Sequence, residues 1–213
     1  MKTSNFFQLI ALIALVILFS CKNKNILQNS PIKDSTTIQK TDSKSKYAIK
    51  SGIVVYKTNI MDMEQQQTLT FDDYGNKEAT VIEMEMMGVE VTNYTISKDG
   101  YVYSFDNDKK TGRKIPVMTK GSVDYQNLTS EYMEKMNIKK EGTETISGKI
   151  CNKYSINNDE FKLKGFFWVW NGIAMKTDMD MGGMKMKMEA VKLEENPTVP
   201  ATTFDIPANI KFE

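Results

Sequence analysis

The sequence from Ile173 to Glu189, IAMKTDMDMGGMKMKME, alternates between apolar and polar residues. A period of two is typical of a β-strand that buries one face and exposes the other. Gly182-Gly183 interrupts the alternation and supplies the kind of two-residue loop that closes a tight hairpin. The stretch therefore predicts two antiparallel strands that meet at these glycines.

A two-residue loop determines which side chains of the hairpin stand opposite each other. On one face the predicted pairs are mostly methionine: Met181/Met184, Met179/Met186 and Thr177/Met188. On the other face every pair joins opposite charges: Asp180/Lys185, Asp178/Lys187 and Lys176/Glu189. Opposite charges directly across a ladder stabilise it, whereas like charges destabilise it. The sequence thus predicts this register, with a dry methionine face and a wet charged face.

Alternating segments continue through most of the chain from Tyr47 onward. The strands predicted outside the hairpin are 52–60, 67–71, 77–86, 89–97, 101–105, 141–146, 149–156 and 161–170. We expect a bulge or bend near Ile60 and a phase slip near Asn93, because the parity of the apolar residues changes at both places. Residues 106–112 are polar and predict a loop.

One segment departs from the β pattern. Leu128, Tyr132 and Met136 recur at helical spacing, so we expect an amphipathic helix over 128–138, capped by Thr129 or Ser130. After it the strands resume, and a proline-containing tail docks on the sheet edge through Phe204 and Ile206. The predicted fold class is mainly β with minor α. It is a curved antiparallel sheet, or half-barrel, of about nine or ten strands in meander order with one short covering helix.

The N-terminus has the features of a targeting segment. Lys2 and the apolar run Phe6–Phe19 are typical of a signal peptide, and Leu18-Phe19-Ser20-Cys21 resembles the lipobox of bacterial lipoproteins. The alternative is an uncleaved membrane anchor with a chance cysteine. We therefore expect a signal peptide over 1–20, a lipidated Cys21 with a flexible tether over 21–46, and the folded domain over 47–213.

Composition excludes several classes of function. Lys2 is the single charged residue of 1–20, so the rest of the chain carries 27 basic and 27 acidic residues. That balance offers nothing to bind nucleic acid. The chain contains no histidine, which removes the commonest general base and most zinc sites, and we predict no cofactor.

Cys151 is the one cysteine left if Cys21 is acylated, so no intramolecular disulfide is expected. Lys149 and Lys153 flank it and could lower the pKa of its thiol. The alternative is a small buried residue without chemistry, which is the commoner role of a free cysteine.

Four motifs carry a family resemblance: FDDYGNKE at 71–78, GKICNKY at 148–154, WVWNGIAMK at 168–176 and FDIP at 204–207. With their order and spacing, the chain resembles a bacterial lipoprotein family of unknown function related to the outer-membrane lipoprotein carriers LolA and LolB. The resemblance implies a curved sheet whose concave face holds an apolar cavity under helical cover. It also implies a lipid-anchored protein of the cell envelope, on the outer membrane and facing the periplasm.

Three functions remain open. The first is binding of a lipid or acyl chain in a cavity lined by the methionines of the dry face: Met84, Met86, Met175, Met179, Met181, Met184, Met186 and Met188. Methionine fits such a surface because it is flexible, although it equally fills ordinary cores. The second is copper or silver binding by the thioethers of Met179, Met181, Met184 and Met186. The third is a structural or interaction subunit that uses the aromatic strand 166–170 and a sheet edge to bind an unknown protein partner.

An enzyme is not expected. Asp72-Asp73 lies in a predicted turn, and Glu83 and Glu85 lie on a solvated strand face. Carboxylates in such places supply no assembled nucleophile, base and orienting group.

Overall fold

A computed structural model describes residues 45–86, 88–117, 125 and 128–213, with the side chain of Met86 excepted. The predicted signal peptide, Cys21 and nearly all of the predicted tether lie outside these residues. Within the described residues, no helix has the length and apolarity needed to span a bilayer.

The described residues form one sheet with a single α-helix, which confirms the predicted class. Its strands are β1 (Gly52–Ile60), β2 (Met63–Asp72), β3 (Lys77–Met86), β4 (Val89–Lys98), β5 (Tyr101–Asp106), β6 (Thr111–Pro116), β7 (Ile138–Ile146), β8 (Lys149–Asn158), β9 (Leu163–Trp170), β10 (Ile173–Met181), β11 (Met184–Glu195) and β12 (Lys211–Phe212). The helix is α1 (Ser130–Lys135), and short 3-10 turns cover Asp73–Gly75 and Ala201–Phe204.

The strand order is β12-β6-β5-β4-β3-β2-β1-β11-β10-β9-β8-β7. Two meanders, β1–β6 and β7–β11, are therefore joined side by side through β1 and β11, and the chain crosses from one edge region to the other between β6 and β7. The continuous meander predicted from the sequence is wrong at this point. Alternation describes each strand but carries no information on which distant strand will pair with it.

The methionine hairpin has the predicted register at all six pairs. On the charged face, Lys187 Nζ lies 3.4 Å from Asp178 Oδ2, and Lys176 Nζ lies 3.2 Å from Glu189 Oε2. Asp180 behaves differently, because its Oδ1 accepts a hydrogen bond of 2.6 Å from the backbone N–H of Gly183. That carboxylate therefore caps the two-glycine turn.

The bulge or bend predicted near Ile60 is a tight turn between β1 and β2. Ile60 pairs with Met63, and the two residues between them both have positive φ, 51° at Met61 and 66° at Asp62. Positive φ at both central residues gives a two-residue turn whose twist matches that of the flanking strands. Here the turn forms without glycine. The side chain of Asn59 supports it by accepting a hydrogen bond of 3.1 Å from the backbone N–H of Asp62.

The phase slip predicted near Asn93 is also wrong, because β3 and β4 pair without a register shift. The apolar residues change parity because a different face is buried along β4. Tyr94 and Ile96 pack under the C-terminal tail, on the face opposite to Val89 and Val91. Strand β6 lies partly in the predicted polar loop and was missed, because its residues do not alternate.

Three apolar clusters hold the described residues together. Cluster 1 has as buried members Tyr47, Val54, Tyr56, Phe71, Ile146, Cys151, Trp168, Ile173, Met175 and Ala190. Cluster 2 has Met136, Ile138, Ile156, Phe167, Val169 and Met179, with Leu128, Tyr132 and Met133 packed against them. Cluster 3 has Ala79, Ile96, Phe105, Phe204 and Ile210.

Helix α1 is shorter than the predicted 128–138, but its cap and apolar stripe are as predicted. The side chain of Thr129 accepts a hydrogen bond of 3.2 Å from the backbone N–H of Tyr132. Its stripe packs in cluster 2 over β7–β10. The tail differs from prediction, because Phe204 is buried on the face of β3–β5 in cluster 3, and the sheet edge is instead extended by β12.

The sheet curls strongly at the end of the β7–β8 hairpin. The hydroxyl of Ser147 donates a hydrogen bond of 2.6 Å to the carbonyl oxygen of Ala190 on β11, and Lys149 forms an ion pair with Glu195. In a flat sheet β7 and β11 would lie about 19 Å apart, because strands are spaced at about 4.8 Å. These contacts therefore show a curved sheet that brings non-neighbouring strands together.

Replacing Asp178 with lysine tests the hairpin register. Asp178→Lys places like charges opposite Lys187 and is expected to lower the free energy of unfolding by roughly 0.2–1 kcal/mol. Adding Lys187→Asp restores opposite charges and should recover part of the loss. Urea unfolding of the two single variants and the double variant measures this, and absence of recovery would contradict the pairing.

Gly165 and Gly142 form a matched pair of glycines in strands, with φ of +144° and +141°. A Cβ on Gly165 would overlap the carbonyl oxygen of Asp178 and lie 2.8 Å from Met179 Cα, whereas a Cβ on Gly142 meets nothing within 4 Å. Both alanine variants carry backbone strain, so Gly165→Ala should lose more stability than Gly142→Ala, by more than about 1 kcal/mol. Equal losses of unfolding free energy in the two variants would show that the close approach of β10 to Gly165 adds no cost to a side chain there.

Candidate functional site

The methionine face is the face of β10, β11, β1, β2 and β3 that carries Met179 and Met186. Cross-strand pairing arranges its side chains in rows that run across the strands. Reading across the pairs, the rows are Met181–Met184; Met179–Met186–Ile60–Met63; Thr177–Met188–Thr58–Gln65–Met84; and Ala190–Tyr56–Gln67–Ile82. Seven thioethers therefore lie in three adjacent rows.

The predicted cavity residues are not all brought together. Met84, Met181, Met184, Met186 and Met188 are half-buried on the methionine face. Met179 is buried beneath α1 in cluster 2. The remaining two predicted residues, Met175 and Met86, are placed differently and are described next.

Met175 does not join the rows. It has no cross-strand partner on β9, because a register shift falls between Ala174 and Lys176, and its side chain is fully buried in cluster 1, which also contains Tyr56 and Ala190 of the last row. Met86 belongs to β3, but its side chain lies outside the described atoms. Met63 was not among the predicted residues, because the turn at Met61-Asp62 was not recognised and the second strand was predicted to begin only at residue 67.

Polar side chains stand among the methionines on the same face. Thr58 and Thr177 flank Met188 in one row, and they are 5% and 3% exposed. Gln67 is buried one row further in. The rows contain no Lys, Arg, Asp or Glu. Tyr56 in the last row is ionisable, but burial raises the pKa of its hydroxyl, so it stays neutral.

The far end of this face is closed by the segment that precedes β1. The ring of Tyr47 lies 4.3 Å from that of Phe71, and the Tyr47 hydroxyl donates a hydrogen bond to Glu78. Burial and the nearby Glu78 carboxylate raise the pKa of Tyr47. Lys46 adds an ion pair of 2.7 Å to the same carboxylate. The methionine rows therefore lie towards the opposite end of the strands, where the β1–β2 and β10–β11 turns are found.

A groove of about 940 Å³ crosses six strands of the sheet, but it lies over the charged face. Its lining consists of one run of three residues per strand: 57–59, 64–66, 83–85, 90–92, 176–178 and 187–189. The outer two members of each run point to the charged face, because side chains alternate along a strand. Met84 and Met188 are middle members, so this groove is a surface distinct from the predicted methionine-lined cavity.

A smaller groove of about 450 Å³ lies at the β1–β2 turn. It is lined by Asp62, Met63, Glu64, Met84 and Glu85. Its lining therefore combines Met63 and Met84 with three carboxylates.

Lysine side chains lie over the aromatic rings of strand 166–170, which was predicted as a contact surface. Lys153 Nζ lies 4.7 Å from the ring centroid of Phe166 and 5.1 Å from that of Trp168. Phe166 is 40% exposed, whereas Trp168 is buried. Lys176 also contacts the Trp168 ring and lies 3.1 Å from Glu144, and its hydrogen bond lowers the pKa of that carboxyl.

The carboxylate pairs considered for catalysis occupy the predicted positions. Asp72 ends β2 and Asp73 starts the following turn, while Glu83 and Glu85 are exposed on the charged face of β3. Among the described residues, no group of three or more Asp, Glu, Cys or His side chains is arranged to hold a metal ion.

Cys151 is fully buried in cluster 1. Burial raises the pKa of its thiol, so the expectation that Lys149 and Lys153 lower it is wrong. The thiol lies 3.4 Å from the carbonyl oxygen of Lys149. The structure therefore supports the alternative, a small buried residue without exposed thiolate.

The chain matches no protein-family model, and no curated protein shows significant sequence similarity to it. Among solved structures it is similar to an uncharacterized conserved protein from Thermus thermophilus. The identity is 9%, the alignment covers 77% of this chain and 90% of that one, and the TM-score is 0.52. At this identity the similarity shows a shared fold and no function.

Two further structures are more distant. The MucA/MucB complex of Pseudomonas aeruginosa is 7% identical over 76% of this chain and 57% of that one, with a TM-score of 0.48. LprF from Mycobacterium bovis is 12% identical over 72% of this chain and 89% of that one, with a TM-score of 0.38. The half-barrel implied by the resemblance to LolA and LolB is present in this chain, and the lipoprotein family itself stays a prediction.

The burial of Cys151 predicts slow reaction with thiol reagents. In the native protein at neutral pH, a maleimide should label Cys151 far more slowly than in urea, because the thiol is covered and its pKa is raised. Mass spectrometry of the peptide that contains Cys151 measures the rate, and Cys151→Ala provides the blank. Rapid native labelling would show that the thiol is accessible.

Proposed function

We propose that this protein is an envelope lipoprotein that binds an apolar ligand, a lipid or an acyl chain, non-covalently on its methionine face. In this proposal Cys21 anchors the chain to the outer membrane, and residues 22–46 tether the half-barrel on the periplasmic side. The protein holds its ligand and carries out no chemistry on it. Its partners are the membrane and this ligand.

One observation carries the proposal. Met63, Met84, Met181, Met184 and Met186 belong to none of the three apolar clusters of the described residues, although they lie in rows that contain no charged side chain. Burying a methionine side chain is worth roughly 1.5–3 kcal/mol, so a face of this kind favours an apolar occupant. Methionine is also unbranched and polarizable, so the face can adapt to chains of different shape.

Photo-crosslinking of the full chain tests the proposal. The protein is reconstituted in vesicles of an ether-linked dialkyl phosphatidylcholine, and the probe is a long-chain alkane that carries a diazirine. We expect cross-links in β10 and β11 between Met179 and Met188. Met186→Gln introduces a polar group on the methionine face and should raise the half-saturating probe concentration roughly 5- to 30-fold, as expected for a loss of about 1–2 kcal/mol.

Lys187→Gln is the matched control, since it creates the same side chain one position away on the charged face. It should leave the cross-linking unchanged. Cross-links spread evenly over the protein, or an equal effect of the two variants, would contradict binding on the methionine face.

A second candidate function is binding of Cu(I) or Ag(I), favoured by the register of the hairpin. Met179/Met186 and Met181/Met184 are directly opposite pairs in adjacent rows. Opposite residues of an antiparallel pair have Cα atoms about 4.5–5.5 Å apart, so their sulfur atoms can converge. Thioethers prefer soft ions such as Cu(I).

Met179→Leu combined with Met186→Leu separates the two candidates, because leucine keeps the apolar volume and removes the sulfur. Copper binding predicts that Cu(I), titrated against a competing chelator, is lost in the double variant. Lipid binding predicts that alkane cross-linking is retained. Wild-type protein that takes up no Cu(I) would remove this second candidate.

A further inference from the structure

Two buried hydroxyls on the methionine face have no hydrogen-bond partner among the described residues. They belong to Thr58 on β1 and Thr177 on β10. Both side chains lie opposite Met188 of β11, one on each side of it, so they occupy the same row. Directly paired residues share a face, and both hydroxyls therefore lie on the uncharged surface proposed to hold the ligand.

An unpaired buried hydroxyl is costly. Its transfer out of water without a new partner is unfavourable, and buried polar groups in native proteins nearly always find one. Valine has almost the shape of threonine and would fill the same space without this cost. Two such threonines beside one methionine point to a polar partner that arrives with the ligand.

The surroundings restrict what this partner can be. Around the two threonines, the described residues of the same face include Met186, Ile60, Gln65 and Tyr56, and the rows that hold them contain no Lys, Arg, Asp or Glu. A carboxylate or phosphate placed there would lose its hydration with no opposite charge to compensate it. A neutral acceptor loses far less, and a hydroxyl donor satisfies it.

We propose that the hydroxyls of Thr58 and Thr177 donate hydrogen bonds to neutral carbonyl oxygens of the ligand, so that the ligand class is an acyl ester or acyl amide. A plain hydrocarbon lacks the acceptor, and a fatty-acid anion carries an uncompensated charge. This inference rests on the proposed function and adds the chemical group that the site recognises. Strand spacing separates the two threonine Cα atoms by about 10 Å, so each hydroxyl meets its own acceptor.

The test compares two probes on the full chain in the same ether-linked vesicles, which contain no ester carbonyl. One probe is a long-chain methyl ester with a diazirine, and the other is the alkane of matched length. The wild type should half-saturate at a lower concentration of the ester. The double variant Thr58→Val with Thr177→Val should raise the half-saturating concentration of the ester roughly three- to tenfold. The half-saturating concentration of the alkane should stay the same.

Thr58→Ser with Thr177→Ser is the matched control, because serine keeps the hydroxyl and should retain the preference for the ester. A second readout separates recognition from folding. Removing unpaired buried hydroxyls should leave unchanged or raise the melting temperature of the ligand-free protein, followed by tryptophan fluorescence. A threonine that only supports the fold would lower it on substitution.

The outcomes are distinct. If the valine variant binds the ester like the wild type, or loses ester and alkane equally, the carbonyl subsite is wrong while apolar binding stands. If neither probe cross-links to β10 and β11 in the wild type, the proposed function is wrong, and so is this inference.

Discussion

The pairing of β1 with β11 is the contact on which the rest of the architecture depends. It extends over nine residue pairs, from Gly52/Glu195 to Ile60/Met186, and it joins two meanders that are otherwise separate. As a result β6 and β7 lie towards opposite edges of the sheet. Helix α1 lies on the connection between them, and it packs on the methionine side of β7–β10. The same pairing aligns Met188 with Thr58 and so assembles the candidate site from both halves.

A sheet this wide buries different faces at its two ends. Over β8–β10 the methionine side is covered, with Phe167 and Met179 under the helix. Over β3–β5 the opposite side is covered, with Ile96 and Phe105 under the C-terminal tail. Each cover is small, because one short helix or one extended tail can bury only a narrow stripe. The central rows between the covers retain half-buried methionines, and this is where binding is proposed.

Much of the fold could be predicted where local chemistry specifies it. The hairpin register followed from charge pairing and two glycines, and the capped helix followed from Thr129 and its apolar stripe. The crossover and β6 could not be predicted, because pairing between distant strands leaves no periodic signal. The parity change in β4 was visible, but its cause was a change of buried face rather than a phase slip.

The candidate site could likewise be predicted only in part. Five of the predicted methionines lie half-buried on one face as expected, since alternation alone places them. Met175 falls at a register shift and is fully buried in cluster 1, and no residue in β10 signals that shift. The unpaired hydroxyls of Thr58 and Thr177 were beyond prediction. Whether a hydroxyl finds a partner depends on neighbours from several strands, and threonine is otherwise an ordinary strand residue.

The two edges of the sheet have a consequence for behaviour in solution. β12 contributes only two residues, and β7 carries Lys139 and Lys140 beside a register shift before Gly142. Short edge strands, lysines and bulges deprive a second chain of a long backbone to pair with. The half-barrel can thus remain unclosed without offering either edge as a template for edge-to-edge aggregation.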